Sequence, residues 1–474
     1  MTWLFSFGLH YALQLAVLVR ALTRPDREPA SRLAWALVIL ALPGAGIALY
    51  LLLGEVNPGR RAVARMRTVE AILPRAQSAG GAAPDLSVTH RAVFGRAAAI
   101  NGFTPVAGNT ARLTRDSADT IAQLVADIDA ATCSVHILVY IWLDDASGRA
   151  LMDAVMRAAR RGVTCRCMVD GLGSRHLLAG AGWAAMRGAG VRTGVAFSTR
   201  WAGLRLLIGR IDIRNHRKIM VIDGRIAYCG SQNCADAAFA IKPRFAPWVD
   251  IMARIEGPVV WQTQRLFVAD WMAQTGEDIA AVLDAPVPVM QAGFPALAFG
   301  TGPGISANAI PDVVTLALAA AQREVVISTP YFVPTLALAE QIRSAALRGV
   351  AVILILPARN DSRFVALASR SGWASLLRAG VAIHEYRPGL LHAKTLTVDG
   401  ALAMIGSANL DRRSFDLNFE NNLLIADPLT AAAIRARQMT YVADSSTVRR
   451  AEVEGWSLLR RLMHDLAATI SPVL

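Results

Sequence analysis

The chain has 474 residues, enough for two or three domains of ordinary size. With 54% hydrophobic residues and a formal net charge of +13 it is apolar and strongly basic, which points to an anionic partner such as nucleic acid or anionic lipid. Its five cysteines, an odd count without C-x-x-C spacing, exclude a disulfide framework and a zinc site.

The first predicted elements are apolar. Trp3 to Val19 is a short run that contains His10 and stops at Arg20, and no basic region precedes it, which argues against a cleaved signal peptide. Leu33 to Gly54, LAWALVILALPGAGIALYLLLG, is uncharged over 22 residues, and such a run is long enough to cross a hydrocarbon core of about 30 Å. Together they predict a membrane hairpin of two transmembrane helices within residues 1–56. Orientation stays open, because Arg20, Arg24, Arg27 and Arg32 in the loop are matched by Arg60, Arg61, Arg65 and Arg67 beyond it. A connector over residues 57–107 follows, and its stretch AQSAGGAAPDL has the composition of a loose loop.

From about Gly108 the pattern becomes α/β. VHILVYIWL (Val135 to Leu143) predicts a buried strand, GRALMDAVMRAARRG (Gly148 to Gly162) a helix, and VTCRCMVDG (Val163 to Gly171) a second strand. The order recurs in EVVISTPYFVP (Glu324 to Pro334), AEQIRSAALRG (Ala339 to Gly349) and VAVILILPA (Val350 to Ala358). Both copies share an Arg-Gly-Val junction, at Arg161 and at Arg348. The reading is a tandem duplication, with domains over residues 108–284 and 285–474, βαβ units and a mainly parallel sheet. Between Arg200 and Arg214 the stretch RWAGLRLLIGRIDIR interleaves Trp, Leu and Ile with Arg, the pattern of an interfacial surface segment.

The chain holds only three lysines: Lys218, Lys242 and Lys394. Two of them share a context. His216 and His392 are each followed by lysine at +2 (Lys218, Lys394), aspartate at +7 (Asp223, Asp399), glycine at +8, Gly-Ser at +14 and +15 (Ser231, Ser407) and asparagine at +17 (Asn233, Asn409). In HRKIMVID and HAKTLTVD the alternation of a strand puts His and Lys on one face. Duplication implies that the two faces meet across a pseudo-twofold axis, giving one cleft with two His, two Lys, two Asn and two Ser.

Two cations and two amides suit the non-bridging oxygens of a phosphate. Two histidines on opposite sides suit in-line displacement, one attacking phosphorus while the other protonates the departing alkoxide and later deprotonates the incoming alcohol. Lysine fits as a compact point charge beside one oxygen, where a planar guanidinium would overfill the pocket. A metal reading is poor, since few carboxylates converge and two ammonium groups repel a divalent cation. Asp223 and Asp399 precede glycine at a strand end, so turn-forming and orienting roles stand beside a chemical one. Lys242 has no counterpart in the second copy and receives no role.

These residues resemble the signature of the phospholipase D superfamily, a duplicated H-x-K-x4-D with a trailing G-S-x-N. The likeness extends to its bacterial cardiolipin synthase branch through RNHRKIMVIDG, PWVDI, TPYFVP, GSANLDRRSFDLNFE, ALYLLLG and the closing ISPVL. The resemblance implies two phospholipase D-like α/β domains packed around one pseudo-twofold active site. It also implies a metal-independent phosphatidyl transfer without cofactor, in which two phosphatidylglycerol molecules give cardiolipin and glycerol. By the same resemblance His216 is the nucleophile and His392 the acid/base, although the pseudo-symmetry permits the reverse. Asp250 and Glu420, at equivalent strand positions, are expected each to hydrogen-bond a histidine and set its tautomer. Ser231, Asn233, Ser407 and Asn409 are expected to bind phosphate. The partners implied are anionic phospholipid and a bilayer, with no nucleic acid. The place implied is the bacterial inner membrane, with the catalytic domains facing the cytoplasm. Hydrolysis by the same intermediate, transfer to another acceptor and an inactive lipid-binding scaffold are the alternative readings.

Overall fold

The α/β alternation folds as a duplicated unit in the computed structural model, which describes residues 2–24, 29–56, 59–75, 84–198, 210, 212–285, 292–304 and 308–470. The interfacial segment expected around Trp201 and Leu204 lies outside the described residues. The first copy supplies β1 (Val106–Leu113), β2 (Ser134–Val139), β3 (Thr164–Asp170), β4 (Arg192–Ala196), β5 (Arg214–Asn215), β6 (Ile219–Ile222), β7 (Ile226–Gly230), β8 (Trp248–Val249) and β9 (Met252–Glu256). The second repeats the set as β10 (Phe294–Thr301), β11 (Glu324–Ser328), β12 (Ala351–Pro357), β13 (Ala382–Tyr386), β14 (Leu390–Leu391), β15 (Thr395–Val398), β16 (Leu402–Gly406), β17 (Asn418–Ala426) and β18 (Ser445–Thr447). The predicted crossover helices form at Ala146–Arg160 and Leu336–Leu347, with Cys165 and Cys167 buried on β3.

The sheet is mixed rather than mainly parallel. Crossover helices make β2–β3–β4 and β11–β12–β13 parallel, but β6–β7 and β15–β16 are tight hairpins and therefore antiparallel. Their turns are Asp223-Gly224 and Asp399-Gly400, all four residues at positive φ (52° and 62°, 53° and 67°). Two consecutive left-handed residues make a turn whose twist matches the flanking strands, and glycine and aspartate tolerate that region best. The two copies join edge to edge, β1 against β10 in antiparallel register with Val106 opposite Ala296.

Beneath the sheet runs the helix Val259–Thr275, buried on every side from Val259 to Ala273. Its rings, among them Trp261, Phe267 and Trp271, belong to the same apolar core as Ile219 and Val221 of β6 and Leu396 of β15. The strands that carry the paired motif thus rest on one rigid core.

Two very short pairings cross between the copies. β5 runs parallel to β17, and β14 runs parallel to β8. His216 follows β5 and donates its backbone N–H to Phe419 O at 2.9 Å, while His392 follows β14 and donates to Val249 O at 2.8 Å. HRKIMVID and HAKTLTVD are therefore not single strands: residues 216–218 and 392–394 sit between two strands that pair with different neighbours.

The N-terminal region departs from the expected hairpin. The first helix spans Thr2–Thr23, but the second apolar run divides into Pro29–Ala41, Ala45–Leu49 and a π-turn over Tyr50–Gly54. Pro43 lacks the N–H that a continuing helix needs, and Gly44 turns at φ 80°. Gly46 then packs so closely on the backbone of Val38 and Ile39 that a Cβ would collide. The chain folds back upon itself, and no helix among the described residues is long and apolar enough to cross a membrane. Much of this bundle is nevertheless apolar and exposed, including Leu9, Tyr11, Leu15, Leu33 and Leu37.

Candidate active site

Because β5 pairs with β17 and β14 with β8, each histidine lies beside a carboxylate of the other copy. His216 Nδ1 is 2.9 Å from Glu420 Oε2, and His392 Nδ1 is 2.6 Å from Asp250 Oδ1. Burial pushes both carboxyls upward, but the facing imidazole and the buried lysines outweigh it. The net result lowers Glu420 and brings Asp250 to about 2. Ionised carboxylates only accept, so each Nδ1 carries the proton and each Nε2 keeps its lone pair. Burial, together with the nearby ammonium groups, holds both imidazoles neutral with pKa values lowered to about 4, against the pull of the carboxylates.

Lys218 and Lys394 are buried behind the histidines and are not among the residues that line the cleft. Each ammonium donates to the backbone carbonyl of its own histidine, at 2.8 and 2.7 Å. Burial lowers Lys218 from its ordinary 10.5 to about 8. Lys394 is held well below its ordinary value by burial and then by Lys218. Asn421, in β17, clamps Lys218 from the other copy, accepting its N–H at 2.8 Å and donating to its carbonyl at 3.1 Å.

Ser231 and Ser407, expected on the phosphate, are placed elsewhere. Ser231 Oγ donates to Asp250 Oδ1 at 2.6 Å and Ser407 Oγ to Glu420 Oε2 at 2.5 Å. Each then accepts a backbone N–H, from Ile251 and Asn421 respectively. A hydroxyl has one proton, and here it is committed behind the carboxylate. Asn233 and Asn409 do line the cleft, as do His216 and His392. Asn233 Oδ1 accepts the Ile141 N–H at 3.1 Å, which turns its NH2 toward the cavity.

Asp223 and Asp399 are at the far end of β6 and β15, outside the cleft lining. Asp223 accepts the backbone N–H groups of Thr132, Cys133 and Ser134 at 2.7–2.9 Å. Asp399 does the same for Gln322, Arg323 and Glu324 at 2.7–2.8 Å. They tie the hairpin turn to the start of the neighbouring strand, the turn-forming and orienting role that the sequence offers for them. Among the described residues no group of three or more His, Cys, Asp or Glu is arranged to hold a metal.

The cleft encloses about 400 Å³. Its walls break the pseudo-symmetry with residues that carried no assignment from the sequence. Tyr140 packs on His216, with ring centroids 5.0 Å apart, and Trp248 on His392 at 4.7 Å. Lys242 also lines the cleft, paired with Asp361 at 2.5 Å, whose other oxygen accepts the Tyr331 hydroxyl at 2.6 Å. Arg413 and the buried Asp411, raised to about 6 by burial, complete the lining near Asn418. Trp248 stands inside the PWVDI stretch and Lys242 was conspicuous as a lysine, but neither repeats in the second copy.

Comparison with known proteins places this geometry. A family model described as cardiolipin synthase, PLD-like domain, matches residues 124–271 and 314–439, and a phospholipase D-nuclease N-terminal model matches residues 12–55. Cardiolipin synthase A of Edwardsiella ictaluri is 35% identical over 100% of this chain and 98% of its own length. That of Erwinia tasmaniensis is 36% identical over 100% and 99%. Phosphatidylserine synthase of Haemophilus influenzae Rd KW20 shares the fold, with a TM-score of 0.56 at 15% identity over 76% of this chain and 92% of that one. With two matched segments carrying both histidine motifs, and relatives alike from end to end, the chain belongs to the cardiolipin synthase family of phospholipase D-like proteins.

Proposed function

We propose that the cleft transfers a phosphatidyl group from one phosphatidylglycerol to another, forming cardiolipin and releasing glycerol. The observation that carries the reading is that His216 and His392 line one cavity, each held at Nδ1 by a carboxylate of the other copy, with a buried lysine on the carbonyl of each. With each Nδ1–H committed to a carboxylate, the Nε2 of one histidine attacks phosphorus and the P–O bond to glycerol breaks. The second histidine, protonated at Nε2 as well once the phosphate monoanion is bound, gives that proton to the departing alkoxide. That same histidine then removes the proton of the second lipid's hydroxyl, which attacks phosphorus and breaks the P–N bond. Two ammonium groups destabilised by burial and by each other favour the entry of an anion, and they stand ready for the charge that grows on the equatorial oxygens. A bound phosphate monoanion also makes it easier for one histidine to carry a proton. We assign the nucleophile to His216 and the acid/base to His392.

The exposed apolar N-terminal helices fit an anchor in the bacterial cell membrane, where donor and acceptor both reside. Their folded-back course fits a bundle embedded beside the bilayer surface better than two straight spans.

The test is to incubate purified protein with labelled phosphatidylglycerol in mixed micelles containing a chelator. Cardiolipin and glycerol should appear together. Phosphatidic acid without cardiolipin would overturn the synthase reading in favour of hydrolysis. His216→Ala and His392→Ala should each lose at least about 10³-fold in turnover, and substantial activity in either would reject the two-histidine scheme.

A further inference from the structure

The helix Leu458–Ile470 presents a face that nothing among the described residues covers. Leu458, Leu459, Leu462, Met463, Leu466 and Ile470 are between 41% and 77% exposed. At 3.6 residues per turn they fall on one stripe about 140° wide. The opposite face is fixed: Ala467 and Ala468 pack on Phe364, Val365 and Ala368 of the helix Arg363–Ser371, and Ser371 Oγ donates to Asp465 at 2.7 Å. The helix is therefore held rigidly with its leucines outward.

Its charges select what can cover it. Arg460 and Arg461 are exposed and flank the apolar stripe, about 60° beyond either edge, with the Arg460 guanidinium over the Trp456 ring at 4.3 Å, and basic side chains so placed meet lipid phosphates while the stripe enters the acyl region. Against a second copy of the same helix, these four guanidiniums would be brought to the rim of one interface and repel. The only acid of the helix, Asp465, is engaged by Ser371.

Its place in the fold gives the contact a purpose. Ser362 and Val365, at the start of the supporting helix, line the catalytic cleft. The apolar N-terminal bundle reaches another part of the same rim. There Leu53 O accepts from Arg210 at 2.5 Å, Arg210 binds Asp212 at 2.6 Å, and the Asp212 carbonyl accepts at 2.7 Å from cleft-lining Arg413.

We propose that the Leu458–Ile470 helix docks on the surface of an anionic bilayer and holds the mouth of the cleft against it. In this inference the reason for docking, though not the docking itself, rests on the phosphatidyl-transfer reading.

The experiment uses the full chain reconstituted in phosphatidylcholine vesicles containing phosphatidylglycerol. In a Cys133→Ser background, Leu462→Cys carries an environment-sensitive fluorophore. Its emission should shift to the blue and be quenched by lipids brominated along the acyl chain. A fluorophore that stays in water would overturn the proposal. So would a fluorophore shielded in detergent without lipid whose shielding accompanies a dimer by light scattering, because the face would then belong to a second copy. Independently, the combined variant Leu459→Ser, Leu462→Ser, Leu466→Ser should lower turnover on vesicle phosphatidylglycerol about 10-fold. Turnover of a short-chain, monomeric phosphatidylglycerol should not change. Equal loss on both substrates, or on neither, would count against docking. Failure of the chemical reading looks different: the unaltered protein would make no cardiolipin even from the short-chain substrate, while the fluorophore would still report the docking.

Discussion

The carboxylate of Asp250 receives the Nδ1 proton of His392 at 2.6 Å, across 142 positions of sequence and across the boundary between the two copies. Glu420 stands in the same relation to His216. Replacing either acid by its amide keeps the shape but removes the charge that fixes the tautomer. An amide can also present its NH2 to the ring, which turns the histidine's proton to the wrong nitrogen. Asp250→Asn and Glu420→Gln should therefore lower kcat by about 10²–10⁴-fold with little change in KM. Ser231→Ala and Ser407→Ala, which remove one hydrogen bond to a charged acceptor, should cost about 10- to 100-fold. Steady-state kinetics with thermal melts to check folding decides both.

Asp223 and Asp399 should behave in the opposite way. Asp223→Ala strips three backbone N–H groups of their acceptor and should lower stability by about 2 kcal/mol, while the protein that remains folded keeps most of its kcat. Burial pushes the Asp223 carboxyl up, but its backbone donors outweigh that and hold it below the ordinary range. The native state then binds fewer protons than the unfolded chain. The stabilisation is complete above the ordinary carboxylate value and fades as pH falls through the lowered one. Urea midpoints across the acid range should show a smaller acid loss in Asp223→Ala than in the unaltered protein.

Lys218 makes activity and stability diverge in alkali. Burial places its pKa at about 8, against an ordinary 10.5. Above pH 8 the charge behind His216 is lost and kcat/KM should fall. Between 8 and 10.5 the unfolded chain binds more protons at this position than the native one, so this group's contribution to stability rises with pH. Parallel pH profiles of rate and urea midpoint should move in opposite directions, and the divergence should shrink in Lys218→Met, where Lys394, also held below its ordinary value, still contributes.

Lys242 is half exposed, but the side chain of its partner Asp361 is buried, so Lys242→Ala leaves a buried carboxylate with the Tyr331 hydroxyl and no cation and should lower the melting temperature measurably. Its expected effect on the cleft is a raised KM for anionic lipid with kcat preserved. A lowered kcat at unchanged KM would place it in the chemistry instead.

The paired motif was legible because it is local. His, Lys, Asp, Gly-Ser and Asn recur at fixed offsets, and the crossover helices carry their own periodicity. What makes the site work was less legible, because it depends on pairings such as Asn215 with Phe419 that lie some 200 residues apart. Asp250 and Glu420 could be named from their equivalent positions, but nothing local says that each serves the histidine of the other copy. The serines are a related case: a hydroxyl two positions before an asparagine has the right chemistry for a phosphate, and only the fold shows it donating to a carboxylate. At the N-terminus, hydropathy counted apolar residues over Leu33 to Gly54 and gave too little weight to Pro43-Gly44, where the backbone turns. The residues that break the symmetry of the cleft, Trp248, Lys242 and Asp361, do not repeat, so a search for repetition passes over them.

The exchange of β5 and β14 between the copies also bears on the chain as it is being made. When the first copy leaves the ribosome, His216 and Lys218 are present, but the carboxylate that orients His216 is at position 420 and the second histidine at 392. A nascent chain should thus be chemically silent until nearly all of it has been synthesised. Two fragments divided between the copies should each be inert, and activity should return only when both are expressed together and the two crossed strands find their partners.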